Sequence, residues 1–263
     1  VLGLWDSWDD DAFPRDKATG QFLDPAKMHV LDHRGAHFSV RGPLNIPRPP
    51  QGWPVLVQAG VSDDARAFAA EFAELIFSSH LTIEQSRAYY SAVKASMAEF
   101  GRTPDDIKIM PGLNVIVGRS RTEAEEKFEH LNSLIEPIVA REILATFLGV
   151  DLAGHDLDAP VPDLKPTAAS SGSFNNWMDL ARRENLTLRQ MAFRAARGRM
   201  AIVRGSASDI ADHMEAWFRG GACDGFNIMP PYLPGAFDDF VALVVPELQR
   251  RGLFRTEYEG RTY

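Results

Sequence analysis

The segment Gln58-Ala59-Gly60-Val61-Ser62-Asp63-Asp64 places a glycine and a hydroxyl directly after the short apolar run Val55-Leu56-Val57. A glycine lets backbone approach a ligand closely, a serine hydroxyl can donate to an oxyanion, and the free N–H groups of a following helix attract phosphate. The same residues also suit a tight turn with an ordinary serine N-cap. Asp63 and Asp64 complement a helix N-terminus but repel a bound phosphate. Gly60 to Asp64 further matches the nucleophile elbow G-x-S-x-G except at its last position, where Asp64 stands. A serine hydrolase would also need an acid and a later histidine, and His130, His155 and His213 stand in no recognisable motif.

Other residues are candidates by position. His80 follows Phe77-Ser78-Ser79 at the end of a predicted strand and Asn227 lies within the last one. Either could hydrogen-bond a ligand, and either could serve only local structure: His80 as a solvated loop residue, Asn227 as a partner for strand-end backbone. His29, His33 and His37 recur every four residues, but Gly35 and β-prone flanks oppose the helix that would align them on a metal. They read as surface hairpin residues. Arg194, Arg197, Arg199 and Arg204 form a basic cluster, read as a solvated helix face with an anion site as the alternative. Trp177, Met178 and Leu180 suit packing or, alternatively, a lid over an apolar substrate.

The elements that must hold these residues follow from patterning. The strand Val55–Ala59 leads through Ser62 into a helix to Phe72, and a strand at 73–77 leads through Thr82-Ile83-Glu84-Gln85 into a helix ending near Gly101. A strand near Ile109–Val117 precedes Ser120-Arg121-Thr122-Glu123 and a long amphipathic helix carrying Ala124, Phe128, Leu131 and Leu134. Gly149–Ser173 breaks the rhythm and is predicted to be a long excursion over a functional face. The pattern resumes at Thr187-Leu188-Arg189-Gln190, a helix from about Ser208 to Arg219, a strand at 224–229 and a helix Phe237–Arg251. Strands alternating with helices predict an α/β parallel sheet, either doubly wound or a (β/α)8 barrel. Four barrel-type strands are legible, half of a barrel, and four strands alone would leave unpaired edges.

The chain has 263 residues, 45% of them hydrophobic and 24% charged, the composition of a globular protein. Its formal charge of -8 opposes partnership with nucleic acid or anionic lipid, and no apolar run reaches the ~20 residues of a membrane span. The lone Cys223 excludes an internal disulfide framework and a multi-cysteine metal site. Leu4, Trp5 and Trp8 read as the last turns of a helix already under way at Val1, with no signal-peptide pattern, so a cytoplasmic location is expected. His29–Val40 reads as a small hairpin, and Pro43, Pro47, Pro49, Pro50 and Pro54 then prevent regular structure.

Three long motifs carry a family resemblance. Pro43-Leu44-Asn45-Ile46-Pro47-Arg48-Pro49-Pro50-Gln51-Gly52 running into Pro54–Ser62, Asp224-Gly225-Phe226-Asn227-Ile228 with Val245–Arg255, and Leu4–Ala12 resemble the flavin-dependent monooxygenases of the bacterial-luciferase-like superfamily. The branch is the nitrilotriacetate monooxygenase group, with its sulfone, alkane and dimethyl sulfide relatives. The resemblance implies the C-terminal portion, residues 1–263, of a single TIM (β/α)8 barrel domain of the luciferase-like type whose N-terminal strands are absent. It also implies reduced FMN as cofactor, O2 as co-substrate, a small-molecule organic substrate, a separate NAD(P)H flavin reductase and a homo-oligomer. The oxygen chemistry would belong to the flavin and its orientation to the protein. By resemblance Gln58, Ala59, Gly60, Val61 and Ser62 contribute to the FMN site; His80 and Asn227 are catalytic candidates by their positions on the strands, and no metal is expected. Family members commonly carry a hydroxyl in place of Val61 and a glycine in place of Ala65. The alternative is a non-catalytic fragment or half-barrel needing a partner chain.

Overall fold

Prolines at 43, 47, 49, 50 and 54 deny the early chain a continuous strand, so side chains bonded to backbone hold it instead. The computed structural model describes residues 1–60, 62–167, 174–198 and 200–260, which divide into two units. The first comprises Val1–Val57 with Arg255–Tyr263. Its helix α1 (Leu2–Trp5) ends earlier than the sequence suggests, and Trp8 lies beyond it in a bridge to Met28. Trp8 is buried and its Nε1 donates to the Leu44 carbonyl at 2.7 Å. Ser7 Oγ donates to Leu4 O at 2.6 Å and accepts from Leu44 N–H at 3.1 Å. Strands β1 (His33–Arg34) and β2 (Ser39–Val40) pair antiparallel with His33 opposite Val40, the expected hairpin.

The second unit, Gln58–Phe254, carries the expected alternation of strands and helices. Strand β3 (Val57–Ala59) leads to α2 (Asp63–Phe72), β4 (Leu75–Ser78) to α3 (Ile83–Ser96), and β5 (Lys108–Val117) to α4 (Arg121–Ser133). Strand β4 starts two residues later than expected because Ala73 caps α2, its N–H bonding Ala69 O at 2.9 Å. The single long helix expected after Ser120 is two: α4 ends at Ser133, and Pro137, fixed at the first turn of α5 (Pro137–Leu148), starts a new one.

After the excursion come α6 (Phe174–Glu184), α7 (Leu188–Ala196), β6 (Ala201–Gly205), α8 (Ala207–Arg219) and β7 (Asn227–Met229). The chain closes with α9 (Gly235–Asp239), a π-helical turn Phe240–Val244 and α10 (Val245–Arg250). Strand β6 is a fifth strand, in a stretch that the sequence leaves unassigned apart from placing Arg204 in a basic helix-face cluster.

The sheet runs in the order β3, β4, β5, β6, with β7 also on β5. Strand β5 pairs in parallel with β4 from Lys108 to Pro111 and with β6 from Leu113 to Val117. Because Leu113 and Asn114 pair with both β6 and β7, those two strands flank β5 on opposite edges. Alternation then sorts the β5 side chains. Ile109 joins a core with Ala69, Ile76, Val93 and Met97 under α2 and α3. Leu113, Val115 and Val117 join one with Ile210, Phe240 and Val244. Burying each such aliphatic side chain contributes about 1.5–3 kcal/mol.

The excursion builds a core of its own. Leu152 is fully buried beside Leu144 and Leu148 of α5, Met178 of α6 and Met191 of α7. Trp177 and Leu180 pack on the same cluster, so packing rather than a lid accounts for them. Residues 168–173 of the excursion lie outside the described residues.

At the end of the unit, Arg251 binds Glu247 at 2.7 Å, Asp212 at 2.6 Å and Glu215 at 3.1 Å, tying α10 to α8. Arg250 first, then Arg251, hold the Glu247 carboxyl at about 2, well below its usual 4.5. A depressed carboxylate adds stability above its unfolded pKa and loses it as the folded pKa is approached. Thermal unfolding followed by circular dichroism should therefore show stability falling as pH drops from 4.5 towards about 2. Glu247→Gln should be less stable at neutral pH and flatter across that window; an unchanged slope would show that the pair is solvated away.

Candidate functional site

Glycine at position 60 is required by the backbone: its φ is +135°, a region L-residues rarely adopt. A Cβ there would stand 3.0 Å from Ala65 Cβ and 3.4 Å from Gln58 Nε2. Ser62 caps α2, its Oγ accepting from Ala65 N–H at 3.2 Å, with Asp63 and Asp64 in the first turn. Gln58 Nε2 donates to Ala59 O at 2.8 Å, while its Oε1 is buried without a partner. The strand end thus places Gly60, which carries no side chain, two residues ahead of the cap of a ten-residue helix. Val61 lies outside the described residues.

The turn is held from α3. Tyr89 Oη donates to Gly60 O at 3.0 Å, and its ring lies 4.9 Å from that of His80. His80 is only 9% exposed and its Nε2 has no partner, so the solvated-loop reading of this residue is corrected. Burial lowers the His80 pKa, which leaves the imidazole neutral at pH 7, and raises that of Tyr89. Ser78 Oγ, at the end of β4, is likewise buried and unpartnered. Gln58, Ala59, Gly60, Ser62 and His80 are therefore linked in one cluster, with Tyr89 as the connection that sequence reading missed. A tyrosine on an apolar helix stripe reads as core, and nothing local marks a hydroxyl aimed 29 residues back along the chain.

Asn227 stands apart from this cluster, on β7 beyond β5, where its Nδ2 donates to Met110 O at 2.9 Å. On the face of β5 opposite the aliphatic core, Gly112 leaves a hollow filled by others. A Cβ there would meet Met200 Sδ and Phe77 Cε2 at 2.9 Å and Met229 Sδ at 3.1 Å.

The remaining candidates resolve into local structure. His29 pairs with Asp9 at 2.8 Å on the surface, and no His, Cys, Asp or Glu group among the described residues could hold a metal. Arg194 pairs with Glu184 at 2.6 Å and Arg204 with Glu125 at 2.5 Å. Arg204 and Arg197 both lie over the Phe128 ring, at 4.0 and 5.4 Å, and Arg199 lies outside the described residues. Arg204 belongs to β6, so the cluster is not one helix face. Burial pushes the Cys223 thiol up to about 12, which makes it a packing residue. Ser62 Oγ makes no hydrogen bond to a histidine among the described residues, so the elbow lacks its base.

Parallel strands, each followed by a helix, with the glycine turn and buried polar atoms gathered at the carboxyl ends of β3 and β4, define an α/β protein of the barrel class. The model of the luciferase-like monooxygenase family matches residues 18–224, and the chain belongs to that family. It is 47% identical to nitrilotriacetate monooxygenase component A of Aminobacter aminovorans over the whole chain and 58% of that relative. The crystal structure of DmoA from Hyphomicrobium sulfonivorans matches with a TM-score of 0.82 and 31% identity, over 99% of this chain and 55% of that one. The riboflavin lyase RcaE, solved with modified FMN and riboflavin, matches with a TM-score of 0.77 and 32% identity, over 99% of this chain and 57% of that one. The chain thus spans a little over half the length of the relatives it matches. No helix among the described residues is long and apolar enough to cross a membrane.

Proposed function

We propose that this chain is the C-terminal part of an FMN-dependent monooxygenase that takes externally reduced flavin and O2 and oxygenates a small organic substrate. The observation that carries the reading is Gly60, free of a side chain and at positive φ just ahead of the N-terminus of α2, linked through Tyr89 to His80, whose buried Nε2 has no partner. The residues present fit a phosphorylated flavin in shape and donor set, the two carboxylates of α2 being the one opposing feature. Gln58, Ala59, Gly60, Val61 and Ser62 would hold the phosphate end through backbone and the serine hydroxyl. When bound, the reduced flavin supplies the electrons that activate O2.

The chain's own residues bind and orient. Neutral His80 can donate or accept one hydrogen bond toward the ligand from Nε2, and Asn227 keeps its Oδ1 as an acceptor after Nδ2 is spent on Met110 O. Phe77, Met200 and Met229 converge over Gly112 and give that face of the sheet an apolar lining. A relative named as component A supports a separate NAD(P)H flavin reductase as partner. A homo-oligomer in the cytoplasm completes the reading.

Ser62→Asp tests it. A third carboxylate beside the phosphate should weaken FMN binding by about tenfold or more in a fluorescence titration of the full-length protein. Unchanged affinity would remove Gln58–Ser62 from the cofactor site.

A further inference from the structure

One feature of the α2 N-terminus opposes an anion. Asp63 and Asp64 occupy its first turn, where they offset the partial positive charge that phosphate would use. Among the described residues Asp64 makes no ion pair, but Asp63 does: its Oδ1 lies 3.0 Å from Arg66 Nη2. The partners differ in exposure, Asp63 at 89% and Arg66 at 34%, so the cation is seated in the protein and the carboxylate reaches it from solvent.

Asp63 is the first residue of α2, directly after the Ser62 cap, so the ion pair holds the Arg66 guanidinium at the N-terminal turn of the helix. Tyr89 Oη holds the Gly60 carbonyl two residues before that cap. A cation therefore stands at the start of α2, and Tyr89 links the Gly60 end of the preceding turn to the nine-tenths-buried His80, whose Nε2 lacks a partner. A carboxylate occupies the position on that cation that a phosphate would take, because both anions accept from the same guanidinium N–H groups.

We propose that Asp63 is an internal competitor for Arg66 and thereby sets the preference of this site between phosphorylated and unphosphorylated flavin. The inference rests on the cofactor reading above. Flavin phosphate must displace Asp63 from Arg66 and approach two carboxylates, whereas riboflavin, uncharged at that end, meets neither cost. Asp63 lowers affinity for FMN specifically, and Arg66 raises it.

The test is a pair of fluorescence titrations, with FMN and with riboflavin, on the full-length protein and its Asp63→Asn, Arg66→Gln and Ser62→Asp variants. Asp63→Asn should tighten FMN about five- to tenfold, the effect of one like charge removed at short range, and leave riboflavin within about twofold. Arg66→Gln should weaken FMN and spare riboflavin, and added salt should shrink both effects. If Asp63→Asn shifts both flavins equally, or neither, while Ser62→Asp still weakens FMN, the competitor role is overturned and the cofactor site stands. If Ser62→Asp also leaves FMN unaffected, both fall together.

Discussion

Lys94→Met should cost about 3–5 kcal/mol of stability, the usual loss when one partner of a buried ion pair is removed. Lys94 Nζ lies 3.1 Å from Asp224 Oδ2, and the two side chains are only 10% and 17% exposed. The same carboxylate accepts from Ile109 N–H at 2.8 Å and from Tyr90 Oη at 3.0 Å, while Lys94 Nζ also donates to Pro104 O and Ile107 O. One network therefore joins α3, the start of β5 and the turn before β7. Burial and the Asp224 charge push the Tyr90 phenol up to about 12, so it stays a donor throughout the working pH range. Methionine replaces the stem of the lysine but leaves Asp224 buried without its cation and two carbonyls without a donor. Urea titration measures the loss, expected as a midpoint shift of about 10 °C in a thermal scan. Because Ile109 lies at the opposite end of the parallel strands from Gly60 and His80, flavin affinity should not change. A loss below about 1 kcal/mol would mean that the pair is solvated.

How far the sequence disclosed this arrangement depended on whether each signal was local. Caps were legible because their partners lie three residues on: Ser62, Thr82, Ser120 and Thr187 all accept from the expected N–H. Among these four the full reciprocal box forms at Thr187 alone, where Gln190 reaches back to the cap N–H at 3.0 Å. Glu123 and Gln85 reach one residue further, to Arg119 and Leu81. Strand β6 escaped because five residues ending in Arg204-Gly205 follow a basic helix, and only pairing with Leu113–Val117 makes them a strand. The break at Pro137 was legible in principle, since proline cannot continue a helix yet suits a first turn.

The site itself divides the same way. Gly60 and Ser62 declared themselves by type and order, and the Asp63–Arg66 pair is a local contact three residues apart within α2, whereas the Tyr89 hydroxyl and the burial of His80 depend on how α2 and α3 seat against the sheet. Asn227 shows the converse. Its position in the last strand marked it, but its side chain first satisfies the Met110 carbonyl, which strand pairing alone would not reveal.

Gly60→Val should damage both folding and flavin binding. At φ +135° any side chain is strained by about 1–3 kcal/mol, and a β-branched one is the worst fit. The new Cβ would also stand 3.0 Å from Ala65 Cβ, a methyl fixed on the first turns of α2 that cannot swing aside. The turn must open, and opening it pulls the Gly60 carbonyl from Tyr89 Oη and moves Ser62 off the α2 cap. The expected stability loss is about 2–4 kcal/mol, read by urea titration, and FMN affinity should fall by at least about tenfold, one lost charge-assisted contact's worth. Gly101→Ala separates the two effects: its φ of +68° also strains an alanine, but nothing lies within 4 Å of the added Cβ. It should lose about 1 kcal/mol with flavin affinity intact. If Gly60→Val were destabilised by that small amount alone and still bound FMN normally, the turn at the end of β3 would be a structural bend, and the phosphate end of the cofactor would have to lie elsewhere on the sheet.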